Sequence, residues 1–430
     1  MSLMSTRSQP DGRNALATTP NRDPYAAFRH SGYRKFVLGR TIFTIGTQMQ
    51  TAAIGWEIYQ RSGSAMALGY VGLVQILPIL FLSLPAGHAA DHFSRRKLIL
   101  MAQVLYLTCS VGLAAISYEK GSYTLIYGLL LLLGIGRAFA MPSMGALLPT
   151  VIPRELWANA ATWNSSLFEL TAMIGPAMAG FLIGLTKGAT AVFIGSALCA
   201  LVGLIAFSLL KPTQAIAPKK AATWADVLGG LRFMFRTKLL LSAASLDLFA
   251  VLLGGATALL PIVARDILYV GPVGFGWLRA APSAGAVMMA LITAHLPPWK
   301  RAGRVLFFAF VGFGLSIVVF GLSKNFWLSL VMLMLTGVFD NLNVVIRQTL
   351  VQFITPDQMR GRVTSVNLIF IGCSNELGEF ESGLAASLFG TVPAIIGGGL
   401  GTLLVVATIM KLSPQLRRLG RLQDIKPAPI

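Results

Sequence analysis

Twelve stretches of this chain are almost uninterrupted in their apolar character, and such runs admit few folds. They lie near residues 34–60, 67–90, 98–118, 122–144, 157–184, 188–210, 239–265, 275–296, 303–322, 326–349, 363–388 and 391–411. A helix rises about 1.5 Å per residue, so runs of this length cross a hydrocarbon layer of roughly 30 Å. Lipid offers no partner to a backbone N–H or C=O, so an apolar run crosses only as a helix, which satisfies those groups internally. Composition agrees, with 55% hydrophobic residues against 12% charged, about half the charged fraction of a soluble domain. The expected fold class is an all-α membrane protein of twelve transmembrane helices.

The net charge of +19 first suggests a nucleic-acid partner, but its distribution excludes one. Lys and Arg crowd into alternate connections: an N-terminal arm (1–33), Arg95-Arg96-Lys97, Arg154, a linker (211–238), Lys300-Arg301 with Arg304, the segment 347–362, and a basic tail (412–430). With Arg34, Lys35 and Lys411 at the adjoining span ends, these hold 27 of the 35 basic residues, whereas the opposite loops carry chiefly Arg61, Lys120, Lys187, Arg265 and Lys324. Positive charge is retained on the cytoplasmic side, so both termini are expected there, in a bacterial inner membrane. Cys109, Cys199 and Cys373 all lie inside apolar runs and form no disulfide framework or metal spacing. The first apolar run follows a long polar stretch without a cleavage pattern, so no removable signal peptide is expected.

The linker 211–238 divides the chain into six-span halves, 34–210 and 239–411. Shifted by 203 residues, the halves align Pro153 with Pro356, Asn164 with Asn367, Gly134 with Gly337, Gly175 with Gly378 and Gly180 with Gly383; a shift of 207 aligns Lys97 with Arg304. Parallel repeats of this kind build transporters, with the substrate site at the interface between halves.

Six carboxylates fall within the spans: Glu169, Asp247, Asp340, Glu376, Glu379 and Glu381. An ionised side chain at mid-bilayer costs about 2.5–3.5 kcal/mol on insertion scales, so each needs a partner, water or a proton. Glu376 and Glu379 share a face of span eleven, and Glu169 sits at similar depth in span five. Groups able to exchange protons at that depth are what proton coupling requires, and helix–helix hydrogen bonding is the structural alternative. Two cations are also internal, Arg40 and Arg137. On the repeat, Arg40 falls opposite Asp247 and Arg137 opposite Asp340, which suggests ion pairs between halves near a cytoplasmic gate; pairing within each half is the alternative. Glu57, Arg265 and Asp266 are expected at solvated outer ends, with Trp56 and Tyr59 as interface anchors. No phosphate-binding loop, catalytic triad or metal cluster is present, so neither a cofactor nor enzymatic turnover is expected.

The loop after span two reads Gly87-His-Ala-Ala-Asp91-His-Phe-Ser-Arg95-Arg96-Lys97. It resembles the loop signature of the major facilitator superfamily, with His92 and Ser94 as departures. Gly87 would permit a tight turn at the helix end, and the resemblance implies that Asp91 helps latch the cytoplasmic side. Span five, Thr171-Ala-Met-Ile-Gly175-Pro176-Ala-Met-Ala-Gly180, is similar to the superfamily's antiporter signature, with Thr171 and Ala179 replacing glycines. A small-residue face at Ala280, Ala281, Ser283, Ala284 and Gly285 of span eight suits it. Gly46 through Gly69, Pro356 through Arg362 and Asn375 through Gly383 resemble the branch containing enterobactin and macrolide exporters. In span four, Arg137 follows Gly134-Ile-Gly136 rather than preceding it, a departure from proton-coupled relatives. The family likeness implies two pseudo-symmetric six-helix bundles and a monomer. It implies alternating access exporting a small, partly apolar molecule (drug, siderophore or metabolite) in exchange for protons. A facilitator or symporter of the same fold, and a transport-inactive membrane sensor, are the alternatives.

Overall fold

The structure, a computed structural model, describes residues 23–210, 224–297, 299–356 and 358–425. Most of the arm (1–22), the first part of the linker (211–223) and the end of the tail (426–430) lie outside the described residues. Among those described, the regular structure is entirely helical.

The N-terminal half comprises α1 (Ser31–Ser62), α2 (Ala65–His92), α3 (Arg95–Tyr118), α4 (Thr124–Val151), α5 (Trp157–Thr186) and α6 (Thr190–Ser208). A helix within the linker, α7 (Trp224–Arg236), leads to α8 (Lys238–Leu253). The seventh apolar run then breaks at Gly254-Gly255 and continues through a 3-10 turn (Ala256–Leu259), the short α9 (Leu260–Ile262) and a π turn (Val263–Ile267). It is followed by α10 (Gly271–His295), α11 (Ala302–Leu322), α12 (Phe326–Ile354), α13 (Arg360–Phe389), α14 (Thr391–Leu412) and the short α15 (Pro414–Arg417). Among the described residues, ten segments are long and apolar enough to cross a membrane. The other two expected spans, α1 and α13, have the length but carry interior polar residues, including Arg40, Gln48 and Gln50 in one and Asn375, Glu376 and Glu379 in the other.

Helix ends are set locally. Ser64 accepts a hydrogen bond from the Ala67 N–H at 3.3 Å and starts α2. Asn325 starts α12 by accepting from the N–H groups of Trp327 and Leu328. Gly63 closes α1 at φ 60°, a left-handed conformation that costs other residues more.

Within each half the same helix pairings recur: α1 packs on α5 and α6 as α8 packs on α13 and α14, and α3 packs on α4 and α6 as α11 packs on α12 and α14. The halves meet along two seams, α5 on α10 and α2 on α13, related by a pseudo-two-fold axis. Both seams are closest at the end away from the basic loops. There one continuous apolar core joins the halves, including Ile54, Trp56 and Ile183 from one and Leu259, Phe275 and Phe320 from the other. At the basic end the core divides. One cluster (Tyr33, Phe36, Ile99, Phe207) belongs to the first half and another (Leu240, Leu306, Leu350, Val363) to the second. Among the described residues, the apolar core is therefore continuous between the halves at the far end and divided at the basic end.

Close approach at the far end depends on glycine. A Cβ on Gly276 would lie 2.8 Å from the Pro176 carbonyl oxygen and 3.0 Å from the Gly180 Cα. The expected small face of α10 is thus displaced: Gly276 meets α5, while Gly285 faces Met334 and Val338 of α12.

Several expectations need correcting. Gly87 lies inside α2, which stays helical to His92, so it makes no turn. Glu57 is buried rather than solvated, paired with Arg61 and accepting from Ser117 Oγ at 3.2 Å. Trp56 and Tyr59 are not lipid anchors. The Trp56 ring lies 5.3 Å from Phe275 across the seam, and the Tyr59 hydroxyl donates to Asp266.

Candidate functional site: a cavity between the halves

The break at Gly254-Gly255 opens the site. Irregular backbone at membrane depth persists where it is enclosed by protein or lines a cavity. Here it does both. A Cβ on Gly255 would meet the Gly378 carbonyl oxygen of α13 at 2.7 Å, while Gly254, Gly255, Ala256 and Thr257 line a cavity of about 280 Å³. Phe313, Ile317, Leu333 and Val251 supply its apolar wall. Its polar groups include Ser283, Thr336, Asn375 and three carboxylates, Glu169 from α5, Asp340 from α12 and Glu379 from α13. By helix rise, Asp340 is about 21 Å from either end of α12 and Glu169 about 18 Å from the basic end of α5, near mid-span. Among the described residues, no lysine or arginine lines this cavity.

Glu379 also borders a second gap of about 30 Å³, which it shares with Thr51 and Gly55 of α1, Pro261 of α9, and Arg279 and Phe275 of α10. A gap of that size holds about one water. Arg279 donates to the Thr257 carbonyl at 3.2 Å, tying α10 to the broken span. One turn from Glu379, the buried Glu376 accepts from Arg137 Nη1 at 2.7 Å. This pair joins α4 of one half to α13 of the other.

The remaining candidates are dispersed. Asp247 pairs within its own half: Asn343 Nδ2 donates to it at 2.6 Å, and Arg347 lies 3.3 Å away. Arg347 Nη1 donates onward to Asn367 Oδ1 at 2.9 Å, so one buried network ties α8, α12 and α13. Neither pairing suggested by the repeat is formed in this conformation. Arg137 reaches Glu376 instead of Asp340, and Arg40 borders a narrow gap with Thr44, Asn164 and Thr171. Glu381 lies outside the cavity and accepts from its neighbour Ser382 at 3.4 Å. In the signature of α5, Gly175 abuts α1 near Ile45 and Met49, and Gly180 abuts α10; Pro176 lies within the helix between them. Asp91 is in the last turn of α2. Arg95 and Arg96 donate within their own half, Arg95 to Ala146 O of α4 at 3.1 Å and Arg96 to Phe207 O at the end of α6 at 3.0 Å.

Sequence reasoning misses two internal cations. It puts Arg347 in a basic loop, but α12 runs to Ile354 rather than residue 349, and the side chain is only 4% exposed. The stripe Asp340, Asn343, Arg347 at i, i+3, i+7 is the available signal. Arg279 is the other, hidden within the small-residue face of α10.

The comparisons with known proteins agree with this architecture. The family of transmembrane secretion effectors, MFS_3, matches residues 22–426. The multidrug efflux pump Tap of Mycolicibacterium fortuitum is 26% identical over 387 residues, covering 87% of this chain and 93% of Tap. The enterobactin exporter EntS of Escherichia coli O1:K1 / APEC is 24% identical over 398 residues, covering 90% of this chain and 93% of EntS. Among solved structures, a bacterial homologue of the human lysosomal transporter Spinster, captured inward-facing and unoccupied, superposes with TM-score 0.73 at 15% identity, covering 92% of this chain and 98% of that one. The nucleoside transporter NupG superposes with TM-score 0.68 at 12% identity, covering 89% of this chain and 98% of NupG. The chain belongs to the transmembrane secretion effector family of the major facilitator superfamily, and is a multi-pass membrane transporter, not an enzyme.

Proposed function

We propose that the protein is a proton-coupled exporter of a small, partly apolar molecule, working by alternating access in a bacterial inner membrane with both termini cytoplasmic. The observation that carries this reading is the cavity lined by Glu169, Asp340 and Glu379 near mid-span, between halves whose described apolar core is continuous at one end only. By the positive-inside rule the end with the divided core is the cytoplasmic one, and on this reading the cavity faces the compartment from which an exporter loads. Its apolar wall and its carboxylates, with no cation among the described lining residues, suit an amphiphile bearing an amine better than an anionic solute. Exchange follows if substrate and protons compete for the same carboxylates: protons arriving from outside neutralise the site and release the cation there. Glu379 borders both the cavity and the water-sized gap towards the far end, so it is the group we assign to the proton. The export and drug-efflux names of the relatives support the direction.

The test uses inside-out membrane vesicles energised to an acid interior. An exporter accumulates a lipophilic amine and dissipates the pH gradient when substrate is added. Uptake that persists unchanged after the gradient is collapsed would make the protein a facilitator, and binding without flux would make it a sensor.

A further inference from the structure

At the basic end of the second half, four arginines converge with no counter-charge among the described side chains. Arg301 and Arg304 stand at the start of α11, and Arg417 and Arg418 lie at the end of α15; with Leu419 they line a cavity of about 390 Å³. The tail is fixed there. The Ala302 N–H donates to the Gly420 carbonyl at 3.1 Å and the Gly303 N–H to the Leu419 carbonyl at 3.2 Å, while Leu416 is fully buried in the core of that half. On the offset of 207 residues, Gly303 occupies the place of Arg96, whose guanidinium closes the corresponding corner of the first half. A Cβ on Gly303 would lie 3.0 Å from Leu419 Cβ and 3.2 Å from the Arg417 carbonyl oxygen. The second half thus uses its tail where the first uses an arginine, and the tail carries two further arginines to the corner.

The four guanidinia are exposed yet crowded on one corner, and an anion there would relieve their repulsion. Arg301 and Arg304 flank a helix N-terminus, where the helix dipole disfavours positive charge, and two more guanidinia add to the repulsion. Among the described side chains no carboxylate pairs with any of the four. Guanidinium forks match phosphate oxygens in bidentate geometry. The neighbouring surface identifies the source of that phosphate. Phe308, one turn beyond Arg304 on the same helix, is 63% exposed, and Leu412, just before the tail, is 78% exposed. An apolar, lipid-facing surface therefore runs directly from the arginines.

We infer that this four-arginine corner binds the phosphate of an anionic phospholipid headgroup, whose acyl chains lie along α11 beside Phe308. The bound lipid offsets part of the corner's charge and fastens the tail to α11. The site is separate from the transport cavity and does not depend on the direction of transport.

The experiment compares thermal unfolding of the full-length protein in nanodiscs of phosphatidylcholine alone and with phosphatidylglycerol, together with native mass spectrometry of the lipid it retains. Phosphatidylglycerol should be retained and raise the unfolding temperature. Arg304→Gln and Arg417→Gln, on separate segments, should each weaken retention about tenfold and lose the thermal gain, while unfolding like the wild type in phosphatidylcholine. Arg154→Gln, an equal charge change elsewhere at the basic end, should lose neither. Equal unfolding temperatures for the wild type in both lipids would overturn the proposal without any variant. So would an equal effect of all three substitutions. A gain reproduced by inorganic phosphate, with no lipid retained, would assign the corner to a soluble anion and refute the lipid.

Discussion

The Arg137–Glu376 pair joins the two halves in this conformation, so removing it should shift the conformational equilibrium. In Glu376→Gln the hydrogen-bond acceptor remains but the charge opposite Arg137 is lost. Breaking a fully buried pair by removing one partner costs about 3–5 kcal/mol. Here Glu376 is 9% exposed but Arg137 is 37% exposed, so solvent screens the orphaned cation and we discount the cost to about 2 kcal/mol. The pair bridges α4 and α13 across the seam and cannot survive separation of the halves at that depth. The loss therefore falls on the far-end-closed state, and its population relative to the far-end-open state should drop roughly 30-fold. Spin labels at Ser122→Cys and Lys324→Cys, in a background without native cysteines, report the distance between halves at that end. Glu376→Gln and Arg137→Gln should each add a longer-distance population, and the double variant should add less than their sum. Identical distance distributions in all four proteins would show that the pair does not hold the seam, and the reasoning would fail.

The other predictions concern coupling, stability, packing and the loop. Glu379→Gln or Glu169→Gln should abolish gradient-driven efflux while preserving substrate binding, because Gln keeps the shape but cannot exchange a proton; normal pumping by both would move coupling to Asp340. Arg347→Met should lower stability by about 3–5 kcal/mol, since it removes the counter-charge of a buried carboxylate and leaves it only the Asn343 hydrogen bond, and Asp247→Leu in the same chain should restore much of the loss. A thermal melt of Arg347→Met matching wild type would contradict that. Gly276→Leu must displace the Pro176 and Gly180 backbone, at about 1–3 kcal/mol, and should populate the far-end-open distance in the spin-label assay; an unchanged distribution would mean the seam yields elsewhere. Asp91→Asn should cripple flux in a folded, inserted protein, and normal flux would reduce the loop to a topological signal.

The spans are legible because an apolar run of bilayer length has one solution, and the halves because Gly and Pro recur at one offset. The break at Gly254-Gly255 is not legible. Apolar residues flank it on both sides, so hydropathy passes over a helix end when both sides are buried. Arg347 is hidden by a boundary error of about five residues, enough to turn a buried cation into a loop charge. Trp56 and Tyr59 have the composition of interface anchors, and only the opposing half, with Phe275 and Asp266, makes them part of a seal. Of the candidate site, the depth of Glu169 and Glu379 can be read from helix rise, and the structure places both on one cavity with Asp340. Their convergence depends on how far the halves have tilted, which no spacing along one helix encodes.

The pairing of charges follows the same logic. Pseudo-symmetry sets Arg137 opposite Asp340, yet symmetry relates the halves and does not fix which surfaces touch in a given state. With the far end closed, α4 reaches α13, so Arg137 meets Glu376, and Asp340 is left facing the cavity. Asp247 is held by Asn343 and Arg347 within its half, so movement between halves leaves that network intact. If the halves move as proposed, the internal charges divide into those that travel with one half, Asp247 and Arg347, and those whose surroundings would change: Arg137, Glu376, Glu379, Glu169 and Asp340. On the proposed function, the carboxylates of the second group are the ones that would link the state of a proton to the direction the cavity faces. Glu379 alone among them borders both the cavity and the gap beyond it.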